Sequence, residues 1–410
     1  MKEMYERFLR YVSVDTRSDD RSDSFPSTPG QKELLSMLFE ELKEMGVDPD
    51  YDSENGYLYA CLPPSEGCEK APAIGFISHV DTSPDAPGKN VRPRLLEKYD
   101  GGDIQLCSEG RVFIRPSEFP EIMRFKGKSV IVTDGTTLLG ADDKAGVTEI
   151  MEAVKKLSED SSIAHGKVCI AFTPDEELGL GASRFDTERF GAVYAYTVDG
   201  SAFPEFEYEN FNAAGARVYF KGRGIHPGSA KGIMKNALSM AIRLDSMLPE
   251  GERPECTEGR EGFFHLESLE GDVSSALSEY IIRDGDADSF QERKKIFLNA
   301  CEYINRLYGP GSCRVELKDT YYNMGPEILK ERHLIDNAKR AFEMCSAEMK
   351  PVFIRGGTDG ATLSYRGLPC PNLPTGGINY HSVYECACLD DMVKVRDLIL
   401  NIISLYSREG

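Results

Sequence analysis

The segment AFTPDEELG, residues 171–179, sets Asp175, Glu176 and Glu177 in succession directly after an apolar run. Three adjacent carboxylates repel one another, and where a buried strand emerges that repulsion is costly unless a cation sits there too. Three other segments repeat the theme. IGFISHVDT carries His79 and Asp81 after an apolar run, LLGADDKAG carries Asp142 and Asp143 at the start of a helical pattern, and AYTVDG carries Asp199. One further histidine, His381, lies in the glycine-rich TGGINYHS. Singly, each has an ordinary reading: an Asp at a helix start caps it, and paired glutamates suit a solvated surface. Jointly, at successive strand ends, they point to a metal site, because like charges gathered there would destabilise the fold without a counter-ion.

The donors are imidazole and carboxylate with no obligatory thiolate. That set suits Zn²⁺, Co²⁺ or Mn²⁺ and disfavours iron–sulfur clusters and Cu(I). Two histidines and several carboxylates exceed the needs of one tetrahedral ion, whereas two ions about 3.5–4 Å apart, sharing a carboxylate, use them all. Such a pair polarises a carbonyl and acidifies a water, and an unligated carboxylate beside it takes the water's proton. Adjacent glutamates then make sense, one as ligand and its neighbour as base. In an extended strand residues i and i+2 share a face, so Asp81 follows His79 on the same side. Asp81 can then accept the second N–H of His79 and fix its tautomer.

Scaffolding must gather these positions. Apolar runs at residues 73–78, 129–133, 167–172, 192–198 and 352–354 read as strands of a central sheet, with amphipathic helices at 31–45 and 144–157 between them. This alternation implies an α/β catalytic domain whose mixed, mostly parallel sheet is flanked by helices, with ligands outside the carboxyl ends of its strands. The rhythm changes over residues 214–322, which read strand, helix, strand, strand, helix, strand. That βαββαβ order is the ferredoxin-like plan. The expected organisation is a catalytic domain from residues 1–212 and 323–410, interrupted by an inserted domain at 213–322. At 410 residues the chain is too long for one ordinary core.

Composition narrows the function. The net charge of -20 argues against nucleic acid or an anionic membrane as partner, since either needs a basic face. The 11 cysteines form no CxxC pair, which favours reduced thiols over a disulfide scaffold. No apolar run approaches a membrane span and the N-terminus lacks a continuous apolar stretch, so a cytoplasmic protein is expected. GGTDG and TGGIN lack the spacing of nucleotide loops.

HVDT, GADDKAG, PDEELG and NYH, in this order, resemble the co-catalytic dizinc exopeptidases. Within them the chain is most similar to the peptidase T family of tripeptide aminopeptidases, through TDGTTLLGADDKAG, HPG at His226, EYIIRD at Arg283, IRGGTDGA at Arg355 and LPCPNLPTGG. The resemblance covers essentially the whole chain. It implies two Zn²⁺ per chain, with Co²⁺ or Mn²⁺ as possible substitutes. His79 would bind one ion and His381 the other, Asp142 would bridge them, and Glu177 and Asp199 would complete the set. Asp81 would support the site and Glu176 would act on a metal-bridging water.

The resemblance further implies that the inserted domain is a lid over the peptide. His226, at a Pro-Gly loop tip, can donate to the oxyanion. Arg283 and Arg355 offer forks suited to a peptide's C-terminal carboxylate. Short peptides are therefore the expected partners, and removal of the N-terminal residue of tripeptides the expected reaction. A carboxypeptidase, dipeptidase or deacylase of the same clan would use the same metal chemistry. A metal-dependent binding protein would have no need of a base at Glu176. Oligomeric state is left open by the sequence.

Overall fold

Apolar strands buried on both faces and the helices that cover them build the first of two units. In this computed structural model, which describes residues 1–107, 110 and 112–408, the first unit comprises Met1–Tyr208, Pro326–Val352 and Thr358–Gly410. Its main sheet has eight strands in the order Pro49–Asp52, Tyr57–Leu62, Val168–Thr173, Ile74–His79, Tyr194–Gly200, Asn372–Pro374, Glu205–Asn210 and Lys350–Ile354. The four strands from Val168–Thr173 to Asn372–Pro374 run parallel, and antiparallel strands flank them. Every residue of Ile74–His79 and Val168–Thr173 is buried, as expected for strands covered on both faces. On one side helix Ala141–Glu159 packs on Ile74–His79 and Tyr194–Gly200, and helix Leu389–Tyr406 packs on that helix. On the other, Tyr57, Tyr59, Phe185, Phe190 and Leu363 form a largely aromatic cluster.

The run at residues 129–133 departs from the sequence expectation. Its strand, Val130–Val132, belongs not to the main sheet but to a small one, between Cys386–Cys388 and Arg94–Leu96 and antiparallel to both. An apolar run announces a buried strand; its partner depends on hydrogen bonding made elsewhere in the chain. This small sheet matters to the site, because Gly377–Ile378 and Cys386–Cys388 form a hairpin with His381 in its connection.

The second unit comprises Glu209–Gly325 together with Phe353–Gly357. Its antiparallel sheet has the order Phe263–Gly271, Ser275–Asp284, Asn212–Lys221, Cys313–Tyr321. With strands numbered along this unit the order is 2-3-1-4, the ferredoxin-like arrangement. Helices Ala237–Asp245 and Ala287–Tyr308 close a core of its own that includes Val218, Phe220, Phe264, Tyr280, Ile282, Phe297 and Ile304. Residues 353–357, counted with the catalytic domain on sequence, pack in this unit instead. Phe353 meets Phe211 edge-on at 5.1 Å, and the Arg355 guanidinium lies 5.1 Å from the Phe211 ring centre. Among the described residues no helix is long and apolar enough to cross a membrane.

Candidate metal centre

His79 is the last residue of a central parallel strand, with Thr173, the last residue of the next strand, directly beside it. Parallel strands in register put both chain exits at the same sheet edge, where Asp199 also stands, one residue from the end of Tyr194–Gly200. His79 Nε2 lies 2.9 Å from Asp142 Oδ1 and 3.3 Å from Asp199 Oδ1. His381 Nε2 lies 2.9 Å from Glu177 Oε2 and 3.4 Å from Asp142 Oδ2. The two oxygens of Asp142 thus face different imidazoles. Two overlapping sets of side chains, His79 with Glu176 and Asp199, and His79 with Asp142 and Glu177, each bring their ligand atoms within 4.8 Å of one another.

Asp142 owes its place to a break in regularity. Helix Ala141–Glu159 has non-helical backbone at Asp142 and Asp143, joined by a cis peptide bond, after Gly140 at φ +79°. Asp142 thereby turns out of the helix while Asp143 turns in. The Asp143 carboxylate accepts the Ser78 hydroxyl, the His79 N–H at 3.2 Å and the Gly146 N–H at 3.3 Å, so it ties strand to helix.

Asp81 reaches His79 by a route other than the shared strand face. The strand ends at His79, and the chain beyond it sets the Asp81 main-chain carbonyl 3.1 Å from His79 Nδ1, with the Asp81 carboxylate oxygen Oδ1 at 3.3 Å from the same nitrogen. The same carboxylate accepts the Glu176 N–H at 3.0 Å and the Glu177 N–H at 3.2 Å. One buried side chain therefore orients an imidazole and both glutamates. Asp175, third of the opening carboxylates, points away. It accepts the Ser27 N–H at 2.7 Å and the Gln31 side-chain amide at 2.7 Å, anchoring the start of helix Pro29–Glu44.

Electrostatics match a site built for cations. Burial, then the charge of Asp199, pushes the Glu176 carboxyl well above its ordinary range. Burial, then Asp142, raises Glu177 to about 7. Burial also raises Asp199. It works against the charged form of His79 as well, but Asp199, Asp142 and Asp81 outweigh it and hold the imidazole protonated. Hydrogen bonds that the His381 ring donates to the Asp142 and Glu177 carboxylates raise it to about 11. For Asp142, burial opposes ionisation, yet contacts with His381 and His79 prevail and keep it ionised. The second oxygen of Glu177, Oε1, is buried without a hydrogen-bond partner among the described residues, as a ligand atom would be. Imidazoles, carboxylates and that orphaned oxygen fit divalent ions of the zinc class.

Three substrate candidates lie in the second unit. His226 is exposed, its Nδ1 accepting the Gly228 N–H at 3.2 Å. Arg283 and Arg355 are neighbours: Arg283 Nη1 donates to the Arg355 carbonyl at 2.8 Å, and both guanidinium groups lie near the Phe263 ring. Among the described residues neither arginine pairs with a carboxylate, and Arg283 Nε is buried without a hydrogen-bond partner.

Sequence reasoning missed two buried acids beside the centre. Asp359 accepts the Thr173 hydroxyl at 2.9 Å and is raised by burial to about 7. Glu385 accepts the N–H groups of Leu139, Gly140 and Asp142. Its signal was available: a lone charge in the run YECAC, whose residues 385–388 are all buried.

Comparison with known proteins follows this geometry. A family model described as peptidase dimerisation domain matches residues 208–311, and one described as M42 glutamyl aminopeptidase matches residues 120–244. A curated relative, peptidase T of Clostridium perfringens (strain 13 / Type A), is 51% identical over 410 residues, covering 100% of both chains. The crystal structure of aminopeptidase PepT from Bacillus cereus ATCC 10987 matches with a TM-score of 0.78 at 24% identity, covering 99% of this chain and 98% of that one. A tripeptidase structure from Staphylococcus aureus subsp. aureus Mu50 matches with a TM-score of 0.79 at 21% identity and the same coverage. Full-length identity of this order, on a sheet edge that gathers the quoted motifs, means that the chain belongs to the peptidase T family, the tripeptide aminopeptidases, and is a peptide hydrolase.

Proposed function

We propose that this protein is a dizinc aminopeptidase that releases the N-terminal residue of tripeptides. The observation that carries the reading is the Asp142 carboxylate between His79 and His381, with Glu177 and Asp199 completing the donors. His79, Asp142, Asp199, Glu177 and His381 would hold the metal ions. When bound, such a pair polarises the scissile carbonyl and lowers the pKa of water. Glu176 takes the proton of the attacking water and returns it to the departing amine, a task suited to a carboxyl whose pKa is raised by burial. Asp81 keeps Glu176 and Glu177 in place through their backbone N–H groups. His226 donates to the oxyanion, and the guanidinium groups of Arg283 and Arg355 receive the peptide's C-terminal carboxylate. Free cysteines throughout the described residues favour a reducing cytoplasm.

The test is Glu176→Gln, assayed for tripeptide hydrolysis beside metal content. Turnover should fall by about 10²–10⁴-fold while zinc is retained. Near-normal turnover would remove Glu176 from the mechanism. Products from di-, tri- and tetrapeptides and from N-acyl amino acids separate this activity from a dipeptidase or deacylase.

A further inference from the structure

Glu385 lies four residues after His381, and its residue is 1% exposed. Oε2 accepts the N–H groups of Leu139 at 2.7 Å and Gly140 at 2.8 Å, and Oε1 accepts the N–H of Asp142 at 3.0 Å. Among the described residues it makes no ion pair; buried Lys144, on which its charge acts, gives its Nζ to the Val14 carbonyl at 2.7 Å. Burying a carboxylate against main-chain donors alone is expensive, and a helix entry needs no such device.

What it holds explains the arrangement. Asp142 departs from helical geometry and Gly140 is left-handed, so the N–H groups there find no partner in a regular element. The turn at the other end is equally constrained. The Ser382 hydroxyl donates to the Asn379 carbonyl at 2.7 Å, the Glu385 N–H donates to the Ser382 carbonyl at 3.2 Å, and Asn379 and His381 both have positive φ. One carboxylate thus joins the turn bearing His381 to the turn bearing Asp142, whose side chains face each other at 3.4 Å.

We infer that Glu385 is a positioning residue: it sets the separation of Asp142 and His381 and so tunes the affinity of the ion that these two share. The inference rests on the two-ion reading above. Glu385→Gln conserves size but turns an amide NH₂ against a backbone donor. Metal-free wild type, Glu385→Gln and Glu385→Asp would be titrated with Zn²⁺ against a chromophoric chelator. Wild type should take up two equivalents, whereas in Glu385→Gln one of the two steps weakens by about 10–100-fold and the other changes less. Glu385→Asp, which keeps the charge, should recover part of the loss, and carries the test alone if the amide variant fails to fold. Wild type binding fewer than two equivalents would overturn the two-ion reading and this inference with it. Two equivalents in wild type, with both variants matching it or losing both steps equally, would overturn the inference alone.

Discussion

Asp81 makes more contacts with the candidate machinery than any single role requires. Its two oxygens serve the backbone of Glu176 and Glu177 and approach the ring of His79. In Asp81→Asn one oxygen becomes an amide NH₂ facing an N–H donor, which displaces the backbone of Glu176 and Glu177 while every side chain assigned to metal is retained. The expected result is a kcat about 10–100-fold lower with KM little changed, and weaker zinc binding because Glu177 shifts with Glu176; steady-state kinetics alongside zinc titration check it. Glu207 makes a second prediction at this scale. Burial, then the charge of Asp199, raises its carboxyl from 4.5 to about 8, and the Asn372 side-chain amide donates to it at 3.2 Å. The unfolded chain ionises this group near pH 4.5 while the metal-free folded protein keeps it protonated. Its contribution to stability is therefore full below pH 4.5, declines as pH rises, and levels off above about 8. Glu207→Gln should gain stability over wild type progressively from pH 5 to pH 8. Melting temperatures of the two metal-free proteins at both values measure the gap, and a gap independent of pH contradicts the assignment.

Between elements, the centre depends on how closely helix Ala141–Glu159 approaches strand Tyr194–Gly200. A Cβ at Gly146 would lie 1.9 Å from the Val198 carbonyl oxygen and 2.5 Å from Asp143 Oδ1. Neither neighbour can yield, one being backbone and the other bound to Ser78 and His79. Gly146→Ala should push the helix off the sheet and cost about 1–3 kcal/mol, read from denaturant unfolding, with weaker metal uptake because Asp142 and Asp199 move apart. A fully stable, fully metallated variant would refute this account of the contact. Elements were partly legible in advance. The runs at 73–78, 167–172 and 192–198 are mostly apolar because their strands are largely covered on both faces, so burial is written into composition. The run at 129–133 looks the same, yet its strand lies in the small sheet, since composition does not name a hydrogen-bond partner.

On the scale of the whole molecule, the chain forms two units, and the second closes a core of its own. Arg283 and Arg355 belong to the second unit, which holds none of the metal candidates. Arg283→Ala should raise KM for tripeptides by roughly 10–100-fold, the worth of a charge-assisted hydrogen bond, and leave zinc binding unchanged. Comparing each tripeptide with its C-terminal amide checks the cause, because the variant should no longer distinguish them. An equal penalty on the amide would assign Arg283 a different task.

The candidate cluster was readable from the chain alone: carboxylates and imidazoles after apolar runs stand out because burial makes such charge costly, and the fold brings His79, Asp142, Glu176, Glu177 and Asp199 together. The βαββαβ rhythm was readable too, since each strand and helix carries its own periodicity. Tertiary structure alone decided that Asp175 serves helix Pro29–Glu44, that Asp81 carries the glutamate backbone, and that Glu385 spans two turns. These are contacts between residues distant in sequence. Their side chains look alike to any local pattern, and only the folded chain selects which backbone donor each carboxylate meets.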